Sequence, residues 1–298
     1  MIRLYVVFED YRPLLTGVAY RVLGSMADAE DVVQEAWLRW SDVDQREVAD
    51  PRAYLTRVTT RLAVDRLRWA RSRREAYVGP WLPEPVSTVP DVADQAVLSD
   101  SVELAMLVVL ETLSPLERAV FVLREAFGLP FAEIAEVIGR AEPATRQLAR
   151  RARDHVQERR PRFETDAGER RRITERFLAA AGGGDLADLI ALLSADVSLV
   201  ADGGGKVRAP LRVLHRPEKV ARFLASIATA EGVRKFTASA GVPTEVAEVR
   251  IADVNGGPAV VVAHGERVLA ALSLVIVAGR IQTVYLIANP EKLGQLVA

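Results

Sequence analysis

The side chains best suited to chemistry lie at the start of a basic helix near the middle of the chain. The segment PATRQLARRARDHV opens on Pro143 and follows FAEIAEVI and a tight turn at Gly139. This pattern is typical of a helix-turn-helix, in which the second helix presents its N-terminal side chains to base edges in the major groove of DNA. Gln can read adenine and Arg can read guanine through two hydrogen bonds. The candidate DNA-binding residues are Glu142, Thr145, Arg146 and Gln147, which meet base edges, and Arg150, which is placed for phosphates. The alternative is a basic helix that is simply solvated.

A second arginine-rich stretch lies in the first quarter of the chain. The segment PRAYLTRVTTRLAVDRLRWARSRRE (residues 51–75) has helical spacing, and six arginines and one acid fall between positions 61 and 74. Basic side chains interleaved with aromatic ones suit a groove that follows phosphates and stacks unpaired bases. Since one short helix is too small to read DNA alone, this stretch is the candidate second DNA-binding element. Its interleaved aromatics are Tyr54, Trp69 and Tyr77. The first two, taken singly, are expected in the core.

The remaining N-terminal sequence also shows helical spacing. A helix that begins between Ser25 and Asp28 places apolar side chains on one side and acidic ones on the other. An acidic stripe is repelled by DNA, so it suits a positively charged protein partner or a solvated face. Further on, Ser114, Pro115 and Glu117 occupy the N-cap, first and capping-box positions of another helix. The N-terminal half is therefore predicted to be all-α.

The C-terminal part of the chain follows a different pattern. From Gly168, helical segments give way to strand-like runs such as VSLVAD, PAVVVAHG and RVLAALSLVIVAG. Asn255-Gly256-Gly257 and Gly279 are typical of turns between strands. Helices followed by an antiparallel sheet predict an α+β domain.

The segment GPWLPEP (residues 79–85) separates the two helical blocks. It holds three prolines and a glycine, so it cannot continue a helix, yet it carries Trp81 and Leu82. A solvated tether has no reason to hold these apolar side chains. Prolines restrict the unbound chain and so lower the entropy cost of docking it. We expect either that Trp81 packs on another domain or that it forms a local apolar cap on helix 51–75.

Composition excludes several classes of protein. The 298 residues contain no cysteine, which excludes disulfides and thiolate metal sites, and the three histidines are scattered without ligand spacing. The net charge of −1 argues against a protein that is basic throughout. The first residues, MIRLYVVFEDYRP, reach charged side chains too soon for the apolar region of a signal peptide, so we expect none. No apolar run approaches about 20 residues, the length that crosses a bilayer. We therefore expect a cytoplasmic protein with no metal, cofactor or membrane contact.

Two separated blocks of the chain resemble bacterial sigma factors of the extracytoplasmic-function (ECF) type. The first is DAEDVVQEAWLRW with the basic helix that follows it, and the second is SPLERAVFVLREAFGLPFAEIAEVIG with its basic recognition helix. The resemblance covers about residues 1–160. It implies that residues 1–76 (region 2) bind core RNA polymerase and capture the −10 promoter element. It also implies that residues 96–162 (region 4) read the −35 element, after a linker at 77–95.

The same resemblance assigns roles to individual positions. The implied core-polymerase contacts are Asp28, Glu30, Asp31, Gln34 and Glu35, the −10 contacts are Arg57, Arg61, Asp65 and Arg68, and the −35 contacts are Thr145, Arg146 and Arg150. Many relatives carry Asn at the position of Arg61, so this chain departs from the family there.

Three pentapeptides resemble the sigma-J-like subgroup, which carries a fused SnoaL-like domain. They are WLPEP (81–85), DGGGK (202–206) and NPEKL (289–293). This resemblance implies a cone-shaped SnoaL/NTF2-like α+β fold for residues 168–298, acting in cis on sigma activity. We expect the linker to contact this domain through Trp81, Leu82, Asp202, Lys206, Asn289 and Lys292.

The C-terminal domain could also bind a small molecule or act as an enzyme. SnoaL-like relatives include cyclases and isomerases with a pocket acid–base pair, for which Asp202, His215 and His264 are the candidates. We expect no catalysis, and prefer a small-molecule sensing pocket because cone folds enclose apolar cavities. The alternative for the whole chain is a helix-turn-helix regulator fused to a ligand-binding or cyclase-like domain. The paired acidic and basic helices of residues 1–75, for which a repressor has no need, favour the sigma factor.

Overall fold

The structure is a computed structural model that describes residues 2–44, 47–88, 103–159, 166–183, 186–242 and 247–297. The chain forms two compact units. The N-terminal unit contains Met1–Glu75 and Val89–Arg160, and the C-terminal unit contains Ala76–Thr88 and Pro161–Ala298. Residues 77–88 of the predicted linker therefore belong with the C-terminal unit, and so does residue 76, which was predicted as the last residue of region 2. Residues 89–95 of the predicted linker and residues 96–102 of the predicted region 4 lie outside the described residues.

The described part of the N-terminal unit is helical, as predicted. Region 2 consists of three long helices, and region 4 consists of shorter ones. The elements are α1 (Ile2–Leu23), α2 (Met26–Ser41), α3 (Pro51–Arg74), α4 (Leu104–Leu110), α5 (Pro115–Phe121), a π-helical turn (Val122–Ala126), α6 (Phe131–Ile138) and α7 (Glu142–Arg159). Buried side chains such as Leu15, Trp40, Leu55 and Leu67 form the core of the three long helices.

Local sequence signals determine where these helices begin. The Ser25 side chain accepts a hydrogen bond from the Asp28 backbone N–H at 3.1 Å, and Asp50 caps α3 in the same way. The capping box predicted at Ser114 and Glu117 is present, with Pro115 in the first position of α5. Each cap satisfies backbone N–H groups that have no partner inside the helix.

The helix-turn-helix consists of α6, a turn and α7. Gly139 ends α6 with a positive φ of 67°, which glycine adopts without steric cost. Buried residues Val120, Leu123, Ile134 and Ala149 pack together and hold the two helices against α5. The recognition helix α7 is thereby fixed by apolar contacts on one side and exposes its basic side.

The described part of the C-terminal unit places helices on one face of a six-stranded sheet. Its elements are α8 (Ala167–Gly183), α9 (Leu186–Leu192), β1 (Leu193–Asp202), β2 (Leu214–His215), α10 (Pro217–Ala228), α11 (Ala230–Ser239), β3 (Glu248–Val254), β4 (Gly257–His264), β5 (Arg267–Val277), β6 (Arg280–Ile287) and a 3₁₀ turn (Pro290–Lys292). Apolar residues from α8, α9, α10 and every second position of the central strands form its core.

The strand order is β2-β1-β6-β5-β4-β3. The α+β prediction is confirmed, but a purely antiparallel sheet was wrong, because β1 and β6 pair in parallel. A parallel pair needs a long crossover, and the described chain between β1 and β6 includes two helices and four other strands. No helix in the described ranges is long and apolar enough to cross a bilayer.

Candidate nucleic-acid interface and docked linker

The exposed side of α7 carries most of the predicted DNA-reading residues. Arg146, Gln147 and Arg150 are exposed, and Glu142 is partly exposed. Arg146 donates to the Glu142 carboxylate from Nε at 3.1 Å and from Nη2 at 2.5 Å. Arg150 lies 3.8 Å from Asp154. These pairs run along the helix surface in water, where such pairs contribute little stability and exchange readily for other partners.

Thr145 corrects the sequence prediction. Its side chain is 0% exposed, and its hydroxyl donates to the carbonyl of Ala141 at 3.2 Å. Because α7 buries this face against α6, Thr145 cannot reach a base edge. Helical periodicity predicted which other positions of α7 are exposed, but it could not show that Thr145 faces inward.

The acidic residues of α2 lie mainly on the protein surface. Glu30, Asp31, Gln34 and Glu35 are exposed, whereas Asp28 is partly buried. Arg66 of α3 donates to Asp28 at 2.8 Å and to Asp31 at 2.7 Å. Glu35 pairs with Arg39 on its own helix at 2.7 Å. The same helix exposes the apolar side chain of Leu38, which is 56% accessible and was not among the predicted site residues.

The predicted −10 residues on α3 already have partners within the protein. Arg61 donates to the backbone carbonyls of Val137 at 2.8 Å and Glu136 at 2.9 Å, which lie at the end of α6. Arg68 pairs with Asp65 at 2.8 Å. The Arg57 guanidinium lies 5.6 Å from the centroid of the Tyr54 ring. A basic side chain of region 2 thus caps the first helix of the helix-turn-helix.

Two further arginines of α3 are structural. Arg74 forms an ion pair with Glu111, and so does Arg118, which is 0% exposed. Arg71 donates to the carbonyls of Glu111 and Leu113. Burial lowers the pKa of Arg71 and Arg74 from the ordinary arginine value, although both remain charged. These contacts fasten the end of α3 to region 4.

The interleaved aromatics of this stretch have three different environments. Tyr54 is half-buried, with its ring 5.7 Å from that of buried Trp40. The expectation of a core position was wrong for Trp69, which is 54% exposed with the Arg73 guanidinium 4.6 Å from its ring. Tyr77 lies beyond α3 and belongs to the C-terminal unit. Of these three aromatic side chains, Trp69 is the most exposed.

The linker residues 77–88 lie on the C-terminal unit. Asp202, 1% exposed, accepts hydrogen bonds from the Leu82 backbone N–H at 2.8 Å and from the Tyr77 hydroxyl at 2.5 Å. Lys292, 6% exposed, donates to Asp202 at 2.6 Å and to the Leu82 carbonyl at 2.5 Å. The lysine Nζ also lies 3.9 Å from the centroid of the Trp81 ring. The structure therefore brings together all three pentapeptides.

Asn289 and Tyr77 complete this cluster. The Asn289 side-chain amide donates to the Tyr77 hydroxyl at 2.9 Å. Burial, reinforced by the Asp202 carboxylate, raises the pKa of Tyr77 well above the usual tyrosine value, so its hydroxyl stays a donor. Lys206 instead pairs with Glu291 at the edge of the cluster. We call Tyr77, Trp81, Leu82, Asp202, Asn289 and Lys292 the latch.

The glycines of DGGGK permit close approach of other groups to this loop. A Cβ atom on Gly204 would lie 2.5 Å from the Asn289 amide nitrogen, and one on Gly205 would lie 3.0 Å from Val78 Cβ. Both glycines also have positive φ, at 61° and 69°. A larger residue at Gly204 would displace Asn289 of the latch, whereas one at Gly205 would strain the backbone and shift Val78 by a few tenths of an ångström.

The end of the described linker continues the sheet. Ser87 forms an antiparallel bridge with Val254, and Thr88 N–H donates to the Asp253 carbonyl at 2.9 Å. The Asn255 side chain accepts from Val86 N–H at 3.1 Å, and its own N–H donates to the Val86 carbonyl at 2.9 Å. Sequence analysis identified Asn255 as a turn residue and missed this second role, as it missed Tyr77.

The candidate acid–base residues do not form one site. Asp202 is occupied by the linker and Lys292. His215 is on β2 and His264 at the end of β4, strands separated by β1, β6 and β5. With about 4.8 Å between neighbouring strands, the two histidines lie far apart. The described side chains include no group of three that could hold a metal ion.

Comparisons with known proteins agree with this architecture. Residues 7–73 match the family Sigma-70 region 2, and residues 103–156 match the family Sigma-70, region 4. The chain is 40% identical over 296 residues to the ECF RNA polymerase sigma factor SigJ of Mycobacterium tuberculosis, covering 96% of this chain and 91% of the relative. It is 39% identical over 195 residues to the probable ECF RNA polymerase sigma factor SigI of the same species, covering 64% and 67%.

Among solved structures, the crystal structure of Mycobacterium tuberculosis extracytoplasmic function sigma factor SigJ superimposes with a TM-score of 0.75. The two chains are 36% identical, and the match covers 98% of each. The similarity thus extends over the helical regions and over the C-terminal α+β unit.

Proposed function

The chain belongs to the extracytoplasmic-function family of RNA polymerase sigma factors, and from this premise we propose that its C-terminal unit restrains initiation by holding the linker. The chain directs promoter-specific transcription initiation with core RNA polymerase. What is proposed here is the regulation and the assignment of contacts to individual residues.

The exposed surfaces support assigning a different binding partner to each of the helices α2, α7 and α3. For core polymerase we assign the exposed side of α2, with Leu38 at its C-terminal end. For the −35 element we assign the exposed side of α7, and for the −10 element the surface of α3 that its internal pairs now occupy. The assigned residues are Asp28, Glu30, Asp31, Gln34, Glu35 and Leu38 for polymerase, Glu142, Arg146, Gln147 and Arg150 for −35, and Arg57, Arg61, Asp65, Arg68 and Trp69 for −10.

The latch carries the proposed regulation. A carboxylate and an ammonium group that are both almost fully buried are stable only while each has the other and further hydrogen bonds. Here the further bonds come from the Leu82 backbone, through both its N–H and its carbonyl. The buried Asp202–Lys292 pair is therefore completed by the linker itself, which couples the charge pair to linker docking.

Docking limits the reach of the chain between the two DNA-binding regions. Each extended residue contributes at most about 3.4 Å of reach, and residues 76–88 are fixed on the C-terminal unit. At the same time Arg61 of region 2 donates to the end of α6 in region 4. Binding of two separate promoter elements requires this contact to open, and a docked linker opposes the separation.

Run-off transcription with core RNA polymerase tests both parts. The full chain is compared with Lys292→Met, which removes the buried ammonium group, and with Lys219→Met, which removes an exposed lysine of α10 as a matched control. We expect promoter-specific transcripts from all three and several-fold more from Lys292→Met. Thermal unfolding establishes that each variant is folded.

Two results would count against different parts of the proposal. Unchanged or lower transcription by a folded Lys292→Met variant contradicts the restraint. Absence of promoter-specific transcripts with the unmodified chain contradicts the assignment of initiation itself.

The C-terminal unit also offers a groove for a small molecule. It has a volume of about 490 Å³, within the range of ligand sites, and lies between α10, α11 and the segment around Arg208. Phe223, Ile227 and Phe236 supply apolar surface, and Arg208, Lys235 and Glu231 also line the groove. Lys235 pairs with Glu231 at 2.5 Å. We propose an apolar acid as the ligand class, with Arg208 as the cation that binds its carboxylate. A thermal shift with aromatic carboxylic acids that is lost in Phe236→Ala supports it, and no shift with any of them contradicts it.

A further inference from the structure

One aromatic ring at the start of the helix-turn-helix lies against two guanidinium groups. Phe131 is the first residue of α6 and is half-buried at the edge of the helix-turn-helix core. The Cζ atoms of Arg124 and Arg146 each lie 4.8 Å from the centroid of its ring, within the range of about 6 Å for a cation–π contact. The ring therefore connects the chain before α6 to the recognition helix.

Arg146 is restrained from two sides. Glu142, one turn earlier on α7, accepts hydrogen bonds from its Nε and Nη2. The Phe131 ring supplies the second contact. An arginine side chain has many rotamers in water, and fixing it costs conformational entropy when it binds a base. An arginine that is already oriented pays less of that cost at the moment of binding, yet this side chain remains 60% exposed to solvent.

Arg124 fixes the ring to the turn that precedes α6. It lies in the π-helical turn Val122–Ala126, an insertion that is common at functional positions in helices. Its Nη1 donates to the Leu129 carbonyl at 2.9 Å. The position of Phe131 is thus determined by the core beneath it and by Arg124, in addition to its contact with Arg146.

We propose that Phe131 is a positioning residue for −35 recognition, holding Arg146 in the conformation that reads a guanine. The inference rests on the proposed role of α7 in reading the −35 element. Guanine presents two acceptors, O6 and N7, in the major groove, and an oriented guanidinium donates to both. Phe131 itself touches no base; it acts through the arginine.

The test is base preference, because a merely structural role would not alter it. Holoenzyme made from core RNA polymerase and the full chain transcribes a library of randomised upstream DNA, and the transcribed promoters are sequenced. The variants are Arg146→Ala, Phe131→Leu, which keeps an apolar side chain and removes the ring, and Phe131→Tyr, which keeps the ring. Phe127→Leu is the matched control, since Phe127 packs on the same core and contacts Arg21 instead.

Arg146→Ala is expected to weaken the preference for guanine at one −35 position by at least about fivefold, the low end for a bidentate contact. Phe131→Leu is expected to weaken the preference for guanine at the same position, whereas Phe131→Tyr and Phe127→Leu leave that preference unchanged. In an Arg146→Ala background, Phe131→Leu causes no further loss of preference.

Three results would overturn the inference. If Arg146→Ala keeps its base preference at every position, Arg146 has no role in reading the −35 element and this inference fails with it. Loss in Arg146→Ala but not in Phe131→Leu leaves the −35 role intact and removes the positioning role alone. A uniform loss of transcription in Phe131→Leu, with base preference unchanged, makes Phe131 a core residue only.

Discussion

The helices α3 and α7 are both rich in arginine, but their arginines have different electrostatic environments. On α3, Arg61, Arg66 and Arg74 bind backbone carbonyls and carboxylates of other helices. On α7, Arg146 and Arg150 pair with acids of their own helix and stay exposed. The number of arginines in a stretch therefore does not measure the charge available to DNA. What matters is whether the partner is buried in another element or lies in water on the same helix.

The largest expected effect is the loss of stability when one partner of a buried ion pair is removed, compared with the same change in an exposed pair. Glu111→Gln leaves Arg118, 0% exposed, and Arg74 without their carboxylate. Removing one partner of a buried ion pair costs about 3–5 kcal/mol, so the free energy of unfolding should fall by about 3 kcal/mol. The matched variant Glu142→Gln removes an exposed partner and should change it by less than about 0.5 kcal/mol. Urea unfolding measures both, and equal losses would break the comparison.

The next effect concerns DNA rather than stability. Arg150→Ala should lower the salt dependence of holoenzyme–promoter binding by about 1 in the slope of log K against log salt, the change for one phosphate contact. Arg66→Ala should leave the slope unchanged, because Arg66 binds Asp28 and Asp31. A filter-binding series over salt concentration gives both slopes. An equal decrease for Arg66→Ala would place its charge on DNA and contradict the distinction.

The smallest expected effect distinguishes half-buried Tyr77 from buried Tyr285. Burial alone raises the pKa of Tyr285 to about 12, whereas Tyr77 also donates to the Asp202 carboxylate. Tyr77→Phe should lower the free energy of unfolding by about 1.5 kcal/mol, as for a hydrogen bond to a charged group. Tyr285→Phe should change it much less. Equal losses of unfolding free energy in the two variants would mean that burial, and not the hydrogen bond to the carboxylate, determines how much a tyrosine hydroxyl stabilises the protein.

The pH dependence of the Tyr77 variant has a definite sign. The folded pKa is raised above the unfolded value of about 10, so the contribution of Tyr77 is fully present below pH 10 and is lost as the pH rises further. Phenylalanine does not titrate. The stability difference between the wild-type chain and Tyr77→Phe should therefore narrow above pH 10 in thermal unfolding, and a difference that stays constant to pH 12 would contradict this origin.

Features that depend on neighbouring residues in sequence were predictable. The capping box at Ser114 and the turn at Gly139 are local, because a few adjacent side chains and φ angles determine them. The resemblance of three pentapeptides also pointed to the latch residues before any geometry was known. What it left out was Tyr77, whose partners Asp202 and Asn289 are far away in sequence.

Features that depend on which side of a helix is covered were not predictable. Thr145 and Trp69 exchanged their expected environments, since the first is buried under α6 and the second is exposed. Helical periodicity gives the relative orientation of side chains on one helix but not the position of the helices that pack on it. The parallel pairing of β1 with β6 is likewise set by the crossover and not by either strand alone.

The most direct test of the account locks the linker on the C-terminal unit. The chain has no cysteine, and Val78 Cβ lies 3.0 Å from the position of a Cβ on Gly205, so Val78→Cys with Gly205→Cys can form a single disulfide after a small adjustment. Run-off transcription compares the oxidised and reduced forms, with Val78→Cys alone under the same oxidant as the control. The account predicts that the oxidised form initiates less than the reduced form and that reduction restores activity. Equal activity of the two forms would contradict the claim that linker release permits initiation.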